Sequence, residues 1–93
     1  MSFNYLRQYQ VGDSEAVTVA SNAQLGRITN TGEDPVFLVN QADEESGTFS
    51  ATTWYELAPG GVFYWSLPEP ASEFVVLAQC AEGFSSSLNV FAY

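Results

Sequence analysis

Short apolar runs separated by turn-forming residues constrain the fold of this chain more than any other sequence feature. The runs are rich in valine, threonine and aromatic residues, and no window keeps a helical period for more than two turns. Glycine, proline, asparagine and aspartate cluster between the runs, as they do in turns. The pattern predicts strands at residues 17–19, 25–29, 35–39, 53–58, 62–67, 74–80 and 84–92.

Seven or eight short strands at this spacing predict an all-β fold, either an antiparallel β-sandwich or a small jelly roll. A chain of 93 residues is long enough for one domain with a modest core. We expect residues 16–93 to form that domain. Residues 1–15 are expected to form an N-terminal arm or an edge strand of the same sheet.

Pro59, Gly60 and Gly61 predict a tight turn, because proline presets φ at its first central position and glycine admits a positive φ at the second. If this turn closes a hairpin, both faces of the hairpin are apolar, whereas a lone domain needs only one of them for its core. The second face is then expected to contact another protein or subunit. One face carries Tyr55, Leu57, Val62, Tyr64 and Ser66, and the other carries Trp54, Glu56, Ala58, Phe63, Trp65 and Leu67.

The charged residues are almost all acidic, with eleven carboxylates, two arginines, no lysine, no histidine and a net charge of −9. Without a histidine or lysine, a serine or cysteine nucleophile has no general base. Zinc and iron–sulfur sites also lack their usual ligands. Nucleic acids and anionic membranes need a cationic surface. We therefore expect a protein without enzymatic activity or a cofactor, and without a nucleic-acid or membrane partner.

The single cysteine is a candidate reactive thiol, and one acidic run is a candidate calcium site. Cys80 ends an apolar run, which predicts a buried, unreactive thiol. Asp43, Glu44 and Glu45 offer oxygen ligands for calcium, but they lack the spacing of an EF-hand, and a solvated acidic loop is the favoured interpretation. The N-terminus has no signal-peptide pattern and no apolar stretch approaches the ~20 residues that span a bilayer, so synthesis in the cytoplasm is expected.

Three short motifs follow one another in a recognisable order between residues 17 and 90. A strand with Arg27 leads into I-x-N-x-G at residues 28–32, P-V-x-L follows at 35–38, and L-x-P-G follows at 57–60. This order resembles small β-sandwich proteins encoded among phage structural genes. The resemblance implies a virion protein, and in particular a capsid decoration or cement protein on the head surface that binds the major capsid protein.

The same resemblance implies a homo-oligomer, such as a ring of three copies. Aromatic side chains are the expected contacts, and adhesion through them should depend little on salt because the chain has so few cations. The candidate interface residues are Phe3, Tyr5, Tyr9, Trp54, Tyr64, Trp65, Phe91 and Tyr93.

Two other functions remain open from the sequence. A carbohydrate- or receptor-binding module of a virion would use Trp54, Tyr64, Trp65 and Glu56 against sugar rings. An acidic inhibitor that mimics DNA would need carboxylates at duplex-like spacing, and their scatter through several predicted loops argues against it.

Overall fold

The computed structural model describes residues 5–41, 49–69 and 74–92, and for Tyr5 its backbone only. These residues form eight strands and no α-helix, which confirms the all-β prediction. The strands are β1 (Tyr5–Val11), β2 (Val17–Ser21), β3 (Leu25–Asn30), β4 (Val36–Asn40), β5 (Tyr55–Leu57), β6 (Val62–Ser66), β7 (Val75–Gln79) and β8 (Ser86–Ala92).

Two four-stranded antiparallel sheets pack face to face. Sheet 1 has the order β1-β8-β3-β6, and sheet 2 has the order β2-β7-β4-β5. Each strand of the first half of the chain pairs with its counterpart from the second half: β1 with β8, β2 with β7, β3 with β6, and β4 with β5. The chain is thus one long antiparallel ribbon wound into two layers, and this strand order is that of a jelly roll.

The segment from Tyr5 to Val11 is an edge strand of sheet 1. It pairs with β8 over its whole length, from Tyr5 opposite Ala92 to Val11 opposite Ser86. Successive side chains of a strand point to opposite faces. Tyr9 and Val11 therefore face the core between the sheets, and Val11 is almost fully buried there.

The principal core fills the space between the two sheets. Ile28, Leu88 and Val90 from sheet 1 pack with Val36 and other aliphatic residues from sheet 2. A second apolar cluster lies on the outer side of sheet 2, where Phe49 and Trp54, from the described end of the connection before β5, pack with Phe37 and Leu77. This connection supplies the covering that a sheet with two apolar faces requires.

The predicted hairpin between residues 53–58 and 62–67 is wrong, although its turn is present. The amide of Gly61 donates to the carbonyl of Ala58 at 2.8 Å, and Gly60 has a φ of +80°. However, β5 pairs with β4 and β6 pairs with β3, so the turn carries the chain from sheet 2 to sheet 1. A turn with Pro59 first and a positive φ second has type II geometry, which splays its flanking strands instead of pairing them.

Asn30 joins the motifs that carry the phage resemblance. Its side chain is fully buried, and its Nδ2 donates to the carbonyls of Asp34 at 2.8 Å and Leu57 at 2.9 Å. Its Oδ1 accepts from the amide of Gly32 at 3.1 Å and from the hydroxyl of Ser86 at 2.7 Å. The residues of the N-x-G and L-x-P-G motifs therefore form a structural junction between β3, β5 and β8.

Candidate functional site

The two sheets differ in what covers their outer faces. On sheet 2, the ring of Phe49 packs edge-on against Phe37 and Trp54, with centroid distances of 5.6 and 5.2 Å. On sheet 1, large apolar side chains remain exposed: Leu6 is 59% exposed and Tyr64 is 69% exposed. The outer face of sheet 1 is therefore the principal apolar surface that the described residues leave open to solvent.

Strand register aligns four outward-facing residues of sheet 1 into one row. Leu6 on β1 lies opposite Phe91 on β8, Phe91 lies opposite Arg27 on β3, and Arg27 lies opposite Tyr64 on β6. The row crosses all four strands. We call these four residues the outer row.

Arg27 is held in the outer row by an aromatic contact. Its Cζ lies 5.1 Å from the centroid of the Phe91 ring, which is within the range of a cation–π interaction. At an exposed site this contact contributes about 0.5–1 kcal/mol. The guanidinium therefore lies over the Phe91 ring, and two depressions flank it, one bordered by Leu25 and Ser66 and the other by Thr29 and Val62.

The outer face of sheet 1 also differs in charge from the rest of this acidic chain. Within the eight described strands the only carboxylate is Glu56, which lies on β5 in sheet 2. Both arginines of the chain lie in sheet 1, Arg7 on β1 and Arg27 on β3. A partner that approaches this face meets one exposed cation and no strand carboxylate, whereas acids occupy the described loops at Asp13, Glu33 and Glu82.

Trp54 and Trp65 do not form the shared adhesive face expected from the hairpin, which corrects that expectation. Trp65 is only 9% exposed and packs between the sheets, where its Nε1 donates to the carbonyl of Ala23 at 3.2 Å. Trp54 is 5% exposed and belongs to the outer cluster of sheet 2. The two side chains belong to different cores because β5 and β6 belong to different sheets.

The remaining candidate interface residues divide into four groups. Tyr64 and Phe91 lie in the outer row, whereas Tyr9 is half-buried against the core between the sheets. For Tyr5 the structure describes only the backbone position in β1. Phe3, Tyr93 and the acidic run Asp43, Glu44 and Glu45 lie outside the described residues.

The sugar-binding platform proposed from the sequence is not assembled in this fold. Glu56 lies opposite Phe37 on the outer side of sheet 2, whereas Tyr64 faces outward from sheet 1. The two tryptophans of that set are buried. The four residues therefore do not share a surface.

The sequence interpretation missed Leu6 and Arg27 as interface candidates. A signal for Arg27 was present, because polar Arg27 and Thr29 alternate with apolar Ile28 in the sequence of β3. That alternation identifies Arg27 as outward-facing. No local signal places Leu6, since its neighbours in space depend on the pairing of β1 with β8.

Cys80 is fully buried, as predicted, and its Sγ lies 3.5 Å from the carbonyl oxygen of Val11. Burial raises the pKa of the thiol, and the nearby carboxylates of Asp34 and Asp13 raise it further. Among residues 5–41, 49–69 and 74–92, no three His, Cys, Asp or Glu side chains are grouped closely enough to hold a metal ion. In the same ranges, no helix has the length and hydropathy to cross a membrane.

Comparison of the chain with protein-family models, with curated proteins and with solved structures gave no match.

Proposed function

We propose that this chain is a non-enzymatic structural protein of a phage virion, a capsid decoration or cement protein that binds the major capsid protein on the surface of the head. The observation that carries the proposal is the outer row of sheet 1, with its exposed Leu6, Arg27 and Tyr64 and its freedom from carboxylates. A flat, apolar and nearly uncharged face on an otherwise acidic domain suits a protein partner.

The composition of the outer row suits a strong protein–protein contact. Tyrosine and arginine are among the residue types that contribute most to binding energy, and they do so near the centre of an interface. Arg27 and Phe91 occupy the two central strands of sheet 1, and Leu6 and Tyr64 flank them. Full burial of a side chain as large as Leu6 or Phe91 contributes about 1.5–3 kcal/mol to the free energy of binding.

The jelly-roll order is compatible with this proposal but does not select it. Viral capsid proteins use the fold, and so do lectins and cupins. The motif resemblance favours the virion among these. The distribution of charge agrees with it, since carboxylates in the loops keep the exposed remainder of the domain soluble while sheet 1 adheres.

The test is co-sedimentation of the purified protein with phage heads assembled from the major capsid protein of the same genome. Wild-type protein should sediment with the heads, and Tyr64→Ala should weaken binding by about tenfold or more, because Tyr64 is the large aromatic side chain that the outer row exposes most. Tyr55→Ala is the matched control, since Tyr55 is also an exposed tyrosine but belongs to sheet 2.

Salt provides the second readout of the same experiment. One exposed ion pair contributes about 0–1 kcal/mol, so raising the salt concentration should weaken head binding by no more than about fivefold. Failure of the wild-type protein to bind heads would contradict the proposed function. A Tyr55→Ala defect as large as that of Tyr64→Ala would contradict the choice of surface.

A further inference from the structure

The free edge of β1 presents a row of backbone groups directed away from the molecule. The amide of Thr31 donates to the carbonyl of Ser87 at 2.9 Å, so the backbone of Ser87 faces β3 and its neighbours in β8 face β1. In an antiparallel ladder the bonded residues alternate. The odd-numbered residues of β1 therefore bond to β8, and Leu6, Gln8 and Gln10 direct their N–H and C=O groups outward. No other described strand pairs with this edge.

The two edges of sheet 2 carry features that block such pairing. β2 has a register shift between Thr18 and Ala20, and β5 is only three residues long. Bulges and short edge strands are two ways in which proteins prevent edge-to-edge association. By contrast, β1 runs for seven residues without a proline, a lysine, a carboxylate or a register shift.

The local charge separates β1 from β6, the other edge of sheet 1. On the β6 side of the sandwich the adjacent edge of sheet 2 is β5, which carries Glu56. On the β1 side the adjacent edge is β2, which has no charged residue. Within the strands of this edge the only charge is the cation Arg7, and Asp13 and Glu15 lie in the loop that follows β1. In a chain of net charge −9, two copies that meet along β1 therefore oppose no strand carboxylates.

We propose that β1 pairs antiparallel with β1 of a second copy about a twofold axis at Gln8, which joins the two copies of sheet 1 into one eight-stranded sheet. In this register Gln8 lies opposite the partner's Gln8, and Leu6 lies opposite the partner's Gln10. The outward groups of both strands then form about six main-chain hydrogen bonds. Arg7 lies opposite the partner's Tyr9, so a cation meets an aromatic ring and no like charges are directly opposed.

The twofold arrangement closes with two copies. A head-to-tail arrangement of β1 against β6 makes a ring only if each copy turns the sheet through a large angle, and otherwise it makes an open filament. The twofold pairing leaves the outer row exposed on both copies, so it goes beyond the proposed capsid contact and does not depend on it. It uses two copies, whereas the phage resemblance led to an expectation of three.

The test uses the position that faces its own copy. Sedimentation velocity is measured over a concentration series that ends at about 100 µM. Wild-type protein should be a dimer at the upper concentrations of this series. Gln8→Asp and Gln8→Lys each place like charges directly opposite each other, and each should weaken self-association by about fivefold or more. An equimolar mixture of the two variants should restore a dimer of one copy each, because aspartate then faces lysine.

Ser66→Asp is the control, because Ser66 lies on β6 with its backbone directed at the other free edge of sheet 1. This variant should remain dimeric. Gln8 and Ser66 are both exposed, so their substitution should leave the fold unchanged. Far-UV circular dichroism and thermal melting of each variant check this.

Three results would overturn the pairing. They are a wild-type protein that stays monomeric throughout the concentration series, a Gln8→Asp variant that dimerises as well as wild type, and a mixture of the two charge variants that stays monomeric. A Ser66→Asp variant that becomes monomeric while Gln8→Asp stays dimeric would move the contact to β6. Capsid binding is scored separately through Tyr64→Ala, so either proposal can fail while the other stands.

Discussion

Replacing Asn30 with alanine should destabilise this domain more than replacing an asparagine outside the core with alanine. The side chain of Asn30 is fully buried and takes part in four hydrogen bonds, of which those to Leu57 and Ser86 are in the interior. Each such bond contributes about 0.5–1.5 kcal/mol, and a buried partner left without one costs about 1–3 kcal/mol. Allowing for partial relaxation, we expect a loss of about 3–5 kcal/mol in the free energy of unfolding.

This loss is a large share of the whole stability. A domain of this size unfolds with a free energy of about 5–14 kcal/mol, and 1 kcal/mol shifts its melting temperature by about 4–8 °C. The Asn30→Ala variant should therefore melt at least about 12 °C below wild type. Urea unfolding measures the free energy of unfolding directly. Tryptophan fluorescence can follow the loss of both cores, because Trp54 and Trp65 are buried in different ones.

Two further variants separate hydrogen bonding from volume. Asn89→Ala makes the same chemical change at a position on the outer face of sheet 1 and should cost less than about 0.5 kcal/mol. Asn30→Asp keeps the shape but directs a carboxylate oxygen at the carbonyls that Nδ2 now serves. Burial there raises the pKa of the new carboxyl in the folded state. Its penalty should therefore be least below about pH 4 and should grow as the pH rises through the folded pKa.

An Asn30→Ala cost below about 1 kcal/mol, or one equal to that of Asn89→Ala, would refute the interpretation of this junction. So would an Asn30→Asp variant as stable as wild type at neutral pH.

Three other measurements test the interior. Gly32→Ala should destabilise the domain by about 1–3 kcal/mol in urea unfolding, because its Cβ would collide with the start of β8, whereas Gly12→Ala, with open space at its Cβ, should cost little; equal costs would contradict the close contact. Acrylamide should quench the fluorescence of Trp54 and Trp65 weakly in the native protein and strongly in urea, because both are buried; strong native quenching would place one of them at the surface. Cys80 should react with a thiol reagent only on unfolding at pH 8, since burial and raised pKa keep its thiol protonated and covered; rapid native labelling would contradict that burial.

Local chemistry was sufficient to predict the positions of seven of the eight strands, whereas β1 was left open as an arm or an edge strand. Every predicted run overlaps an observed strand, because valine, threonine and aromatic residues favour extended backbone wherever it lies in the fold. The turn at Pro59 and Gly60 was also predictable, since a positive φ at the second position requires a residue like glycine. The burial of Cys80 followed from its apolar neighbours.

The candidate site was only partly predictable. Tyr64 and Phe91 were identified as aromatic residues of strands, but their place in one row with Leu6 and Arg27 depends on three strand pairings that join distant parts of the chain. The local sequence carries no signal for such pairings. The same limit applies to the N-x-G and L-x-P-G motifs, because their contact through Asn30 depends on the tertiary structure.

The class of fold, the positions of seven of the eight strands and the acidic charge with its two cations follow from residue type and local spacing. The pairing of the strands in space places β5 and β6 in opposite sheets and buries Trp54 and Trp65 in separate cores. It also leaves the outer face of sheet 1 open among the described residues. The physical reason lies in the periodicity of a strand. Alternation divides its side chains into two faces, but which face is covered depends on strands and loops far away in the sequence.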